Sequence, residues 1–234
     1  MNYFSEMHPN KSKALMLAKR QLSELVFDAV NLEGINFTLP EVQTLLDGIT
    51  IGGRKLTDQQ IAINQANAWK FIFNSVNQNS FNLSAEFSCE VHKISGFQEA
   101  LEWGKFRSGS VTIAGTDYQP PKAQDLKNNW DEMISVLFST ESKEPDLIYD
   151  QAIGLFLQMA RNQFFYDVNK RMGRFFMNGF LLSKGYPVIN LPAKKQLEFN
   201  NLMLDFYGSN QMGPMISFMK NCLDPRVIEI MSET

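Results

Sequence analysis

QFFYDVNKRMGR, Gln163 to Arg174, is the stretch that decides how this chain is read. An acid, an amide and three cations crowd into eight residues: Asp167, Asn169, Lys170, Arg171 and Arg174. Before it, Asp146 to about Asn162 is apolar nearly all the way round, the mark of a helix at the centre of a core. After it, an amphipathic helix is expected from about Lys170 to Lys184, closed by Gly185. A turn that feeds a helix start offers unpaired backbone N–H groups and a positive dipole end, which together favour an anion. Arg171 and Arg174, three apart, share a face and suit two phosphates. Asp167 beside them suits Mg²⁺ bridging the same phosphates. The run reads as a nucleotide polyphosphate cradle, or equally as a helix start with an acidic cap and two exposed arginines.

Working outward, the pattern stays helical. One helix is expected from Ser12 to Leu32, where Leu15, Ala18, Leu22, Leu25, Val26 and Ala29 recur at spacings of three and four. Thr38 and Glu41 form a capping box with Pro40 in the first turn, and Gly48 ends that helix. Thr57 and Gln60 suggest another box, with Leu56 and Ile61 as a hydrophobic staple, on a helix running to Asn77. A helix from Ser84 to Ser95 ends at Gly96. The run GKFRSGSVTIAGTDYQPP, Gly104 to Pro121, then changes texture: Val111 and Ile113 alternate with polar residues around an Ala114-Gly115 turn, which predicts a short β-hairpin. Helices follow at about 122–140, 193–206 and 212–221. The expected fold is all-α, one helical bundle with one hairpin.

Composition narrows the function. The 234 residues are 44% hydrophobic and 20% charged, which excludes disordered and collagen-like classes. Nineteen Phe and twelve Met supply a large, adaptable core. A net charge of −3 argues against a nucleic-acid coat. No signal peptide or membrane span is read in the chain. Two distant cysteines, Cys89 and Cys222, make no disulfide framework, and a reducing cytoplasmic setting is expected.

FFYDVNKRMGRFFMNGFLLSKGYPVI (164–189) resembles the signature of the Fic/Doc family: a histidine, one residue, Phe, one residue, an acid, a small residue, Asn, Gly or Lys, Arg, two residues, Arg. Phe165, Asp167, Asn169, Lys170, Arg171 and Arg174 fall in register. The 104–121 run resembles that family's flap hairpin, and DFYGSNQMGPMISFM (205–219) its closing helices. LVFDAVNLEGINFTLPEV (25–42) is similar to the family's inhibitory helix, although Ala29 and Ile35 depart from it. The resemblance implies an N-terminal regulatory segment, 1–56, and a Fic-like core, 57–234. It implies AMP transfer from ATP to a hydroxyl of a target protein, with Mg²⁺ on Asp167 and the α-phosphate on Asn169 and the turn. Lys170, Arg171 and Arg174 would complete the nucleotide site. Ser110, Val111, Thr112 and Ile113 would clamp the target by strand pairing. Glu33 would inhibit by pairing with Arg174. The partners implied are a protein and a nucleotide, with no nucleic acid and no membrane; a homo-oligomer is left open.

Two departures stand in the motif. Gln163 occupies the position of the histidine that takes the target's proton, and glutamine accepts no proton near neutral pH. General-base help is worth about 10²–10⁴ in rate, so its loss is severe. Neither other histidine offers a replacement: His92 has a packing position and His8 is expected in a loose terminus. Val168 stands where a smaller residue is usual, which is costly if the turn requires φ > 0. Two classes remain, a weakened or inactive protein adenylyltransferase and a non-catalytic Fic fold that binds nucleotide or protein.

Overall fold

Two helices make the centre, α7 (Pro145–Asn162) and α8 (Asn169–Ser183), joined by the turn 163–168. Ile153, Leu155, Phe156 and Leu157 on α7 are wholly buried, as are Phe176, Met177, Leu181 and Leu182 on α8. Each such side chain contributes about 1.5–3 kcal/mol by leaving water. The pair comes close enough to need a glycine: a Cβ on Gly173 would lie 2.8 Å from the Phe156 carbonyl oxygen. The computed structural model describes residues 3–233, and among them there are eleven α-helices, three short 3-10 turns and no strand.

Around this pair stand α1 (Lys11–Arg20), α2 (Leu22–Leu32), α3 (Leu39–Leu46), α4 (Leu56–Asn77), α5 (Ala85–Ser95) and α6 (Leu126–Leu137). After them come α9 (Gln196–Ser209), α10 (Gly213–Lys220) and α11 (Pro225–Ser232). One continuous apolar cluster takes in residues of every one of these helices. Buried polar groups are placed where an amide can act as backbone. Asn178 donates to the Ile189 carbonyl at 3.1 Å and accepts from the Ile189 N–H at 2.8 Å, tying the 185–191 segment to α8. Trp130 Nε1 donates to the Leu83 carbonyl at 2.9 Å.

Several expectations need correction. The single helix over 12–32 is two, broken at Gln21 (φ −88°, ψ 5°), although its apolar stripe continues across the break. The Thr38–Glu41 capping box is present. The Thr57–Gln60 box is not: α4 starts a residue earlier with Lys55 as a cap that makes no side-chain bond, and Gln60 turns to Asn64 at 2.8 Å. Leu56 is 75% exposed, so it staples nothing. α11 was not anticipated. His8 is held rather than loose, its N–H donating to the Met231 carbonyl at 3.0 Å.

The predicted hairpin forms no ladder. Between Ser110 and Tyr118 the alternation survives as alternating exposure, with Val111 and Ile113 half-buried and Thr112 and Ala114 exposed, but no backbone bond crosses the turn. Arg107 closes the loop instead. Its guanidinium is buried and donates to the carbonyls of Gly109 (2.6 Å), Pro121 (2.5 Å) and Gln163 (2.6 Å). The two stems of the loop and the end of α7 thus share one cation. Tyr118 lies under the Arg161 guanidinium, 3.9 Å from the ring centre.

Candidate functional site

The turn between α7 and α8 is shaped by two left-handed residues. Gln163 closes α7 at φ 49°, and Val168 precedes α8 at φ 56°. For a β-branched residue this is a genuine outlier. Phe164 and Phe165 between them are wholly buried and anchor the turn. Asn169 threads it: Oδ1 accepts from the Phe165 N–H at 2.9 Å, while Nδ2 donates to the Phe165 carbonyl at 2.8 Å and to Gln163 Oε1 at 3.1 Å. Gln163 Nε2 donates to the Ala160 carbonyl at 2.5 Å. At the position expected for a base, the side chain therefore acts as a structural cap. Asp167 is exposed, and one of its oxygens accepts from the Val168 N–H at 2.7 Å.

His92 is a packing residue. Its ring stacks on Phe165 with centroids 3.9 Å apart, and Nδ1 accepts from the Gly104 N–H at 3.1 Å. Burial pushes its pKa down to about 4, which keeps it neutral at physiological pH.

A cleft of about 510 Å³ opens above the turn. Glu33, Gln163, Asp167, Asn169 and Lys170 line it, as do Thr112, Ile113 and Ala114 of the flap loop. Ser110 and Val111 are not in its wall. The opposite wall is Asn200, Met203, Leu204 and Tyr207 of α9. Their spacing of three and four was legible as one helix face, but a face of that kind reads as core. Tyr166 also lines the cleft, its hydroxyl 3.2 Å from Ser108 Oγ.

Neither arginine lines this cleft. Arg171 is buried and held by both oxygens of Glu99, one of them at 2.8 Å, a partner the sequence did not signal. Arg174 is buried behind Glu33, its Nη2 3.6 Å from Glu33 Oε1, which is ion-pair range without a hydrogen bond. Burial pulls the Arg174 pKa down to about 10 against the pull of Glu33, leaving it charged at neutral pH. Glu33 is itself pushed up by burial, but Lys170, Arg171 and Arg174 outweigh that and hold it below its ordinary value. Glu33 caps α2, and α2 is fastened from outside. Asp28 accepts from Asn190 Nδ2 (2.6 Å) and the Ala193 N–H (2.8 Å), and Gln196 Nε2 donates to the Leu32 carbonyl at 2.9 Å.

Residues 82–181, which hold the turn, the flap loop and most of α8, match the model of the Fic/DOC family. That segment is similar to the Fic/DOC family. Its curated relatives include proteins named protein adenylyltransferase Fic from Drosophila mojavensis and Drosophila ananassae. Each is 22% identical over 222 residues, covering 94% of this chain and 43% and 44% of theirs. The chain thus spans less than half the length of the curated relatives it matches. Among solved structures, a Fic domain containing signaling protein from Bacteroides thetaiotaomicron superposes with a TM-score of 0.75 at 17% identity, over 99% of this chain and 92% of that one. Fic-1 from C. elegans gives 0.74 at 17% identity, over 94% of this chain and 63% of that one. Both likenesses are of fold. The family model begins at residue 82, so Glu33 and α2 lie outside the segment it matches, although the longer alignments span nearly the whole chain.

Proposed function

We propose that this Fic domain binds ATP in the 510 Å³ cleft and is built for AMP transfer to a hydroxyl of a target protein, with Gln163 making that transfer weak. The observation that carries the reading is convergence: the turn, Glu33, the flap loop and the α9 wall meet around one cleft. The N-terminus of α8 and the Lys170 ammonium give it an anion-binding floor. Met203, Leu204 and Tyr207 give it an apolar wall suited to a nucleobase. Thr112 and Ile113 stand at the mouth, where an extended target segment with free backbone groups would lie beside the flap. Glu33, held at the end of α2, is the inhibitory residue of an N-terminal regulatory segment, 1–56. The free cysteines suit a reducing, cytoplasmic setting.

Among the described residues no cluster of three metal-binding side chains exists. The donor set nevertheless fits Mg²⁺, which dehydrates reluctantly and needs only one or two carboxylates beside substrate phosphates. Asp167, exposed at the turn, would hold it, and the ion would supply charge neutralisation at the phosphates.

In the transfer, the target oxygen bonds to the α-phosphorus, the bond to the bridging oxygen breaks, and pyrophosphate leaves. The hydroxyl proton needs an acceptor. Gln163 provides none, because its amide has no basic lone pair at neutral pH and both its ends are engaged. That engagement favours a second reading, a binding module in which Gln163 fixes the turn. Labelled ATP distinguishes the two. Gln163→His combined with Glu33→Gly is expected to raise self-labelling or lysate labelling by about 10² or more. A double variant that binds ATP and labels nothing makes the binding module the better reading.

A further inference from the structure

The Glu99–Arg171 pair is not accounted for by Glu33 or by the cleft floor. Glu99 comes from the loop after α5, far from the turn in sequence. That loop is built to present it. Gln98 sits in the left-handed region at φ 57°, an expensive conformation for a residue other than Gly, Asn or Asp. The Phe97 carbonyl is held by Nδ2 of Asn64, a buried α4 side chain, at 2.7 Å. Ala100 N–H donates back to Gly96 at 3.0 Å. The carboxylate so placed takes both terminal nitrogens of Arg171, while Arg171 Nε is left buried with no partner. Arg174, one turn further along α8, is behind Glu33. Lys170 is then the one cation lining the cleft among the described residues.

We propose that Glu99 is a second carboxylate latch, which withdraws Arg171 from the cleft and so limits how many phosphates of a nucleotide the site can grip. This rests on the nucleotide reading above. Glu99 touches no ligand; it is a positioning residue acting through Arg171. In the latched state the cleft holds the nucleotide by Lys170 and the α8 N-terminus. With the latch open, Arg171 adds a forked, charge-assisted contact to an outer phosphate. The latch therefore discriminates by phosphate number, which a purely structural ion pair would not do.

The test uses the full chain carrying Glu33→Gly, so that the first carboxylate cannot mask the second. Calorimetric titration with AMP, ADP and ATP, each with Mg²⁺, is compared with and without Glu99→Gln. ATP is expected to bind about tenfold tighter or better, AMP unchanged, and the gain to vanish when Arg171→Ala is added. If Glu99→Gln melts without cooperativity, Glu99→Asp, which keeps the charge but draws it back by one methylene, is expected to give a smaller gain of the same kind. Glu33→Gly binding that neither Glu99 variant changes overturns the latch alone. So does an equal gain for AMP, or a gain that survives Arg171→Ala. No binding of any nucleotide at millimolar concentration by any variant overturns the cleft reading and the latch with it.

Discussion

Val168 shows how far a single residue can be read from sequence. Its type marked the turn as suspect, and the backbone is indeed left-handed there at φ 56°. What the sequence could not supply was the compensation, since Val168 is also buried. Strain at such a site costs about 1–3 kcal/mol. Burial of a valine side chain contributes about 1.5–3 kcal/mol in the other direction. Glycine would relieve the first, forfeit the second, and add about 0.5–1 kcal/mol of unfolded-state entropy. At mid-range the terms leave a small net loss, so Val168→Gly is expected to lower stability by about 1 kcal/mol in a urea melt. A larger loss would mean that packing, not backbone strain, governs this position. Gln163 was legible as an amide where the resemblance expects a histidine, but its bonds to Ala160 and Asn169 were not, because they depend on its own left-handed backbone. The motif itself was readable because its residues are consecutive. Glu99 and the α9 wall were not, because only the folded chain brings them to it.

Among the elements, helices were legible wherever an apolar stripe met a cap with a mechanism. The Thr38–Glu41 box, the helix over 84–95 and its stop at Gly96 all stand where the sequence put them. The flap failed as a hairpin because alternation reports only which side faces inward; it says nothing about whether a partner strand exists. Here Arg107 does by three side-chain bonds what a ladder would have done along the backbone. The α7–α8 pair depends on a spacing that no periodicity reveals. Gly173 lies against Phe156, and a methyl there meets both backbone and ring of Phe156 at 2.8–2.9 Å. Backbone on one side and a packed ring on the other leave little room to yield. Gly173→Ala is therefore expected to cost about 1–3 kcal/mol, the range for overpacking, despite alanine's better helix propensity. Chemical denaturation measures it, and a stabilised variant would mean that the two helices can separate freely.

At the scale of the whole molecule, the resemblance implies a division at residue 56, between a regulatory segment and a core. No seam runs through the packing there. Leu15, Ala18, Val26, Val30 and Val42 belong to the same apolar cluster as Ile72, Phe156 and Met177. Lys13 reaches across to the carbonyls of Ile230 and Glu233 at 3.0 and 2.9 Å, so the two ends of the chain are bound together. A chain of 57–234 alone would expose that face of the cluster. It is expected to lose cooperative thermal unfolding and to bind an apolar dye, whereas the full chain melts in one transition. A shortened chain that melts sharply would restore the seam. The proposed regulatory segment would then act without being a separable module.

The way α2 is fastened bears on the tempo that such regulation would have. The Asp28 carboxylate ties α2 to Asn190 and Ala193, and Gln196 holds the Leu32 carbonyl in its last turn. Only the Glu33 side chain, one-quarter exposed at the helix end and without a hydrogen bond to Arg174, would need to move to uncover it. Rotamer changes of this kind take picoseconds to nanoseconds, whereas helix shifts and domain motions take microseconds or longer. On the proposed reading, the carboxylate would exchange many times during any one encounter with a nucleotide. It would act as a steady reduction in apparent affinity, set by the fraction of time Arg174 is uncovered, and not as a gate that a ligand must wait for.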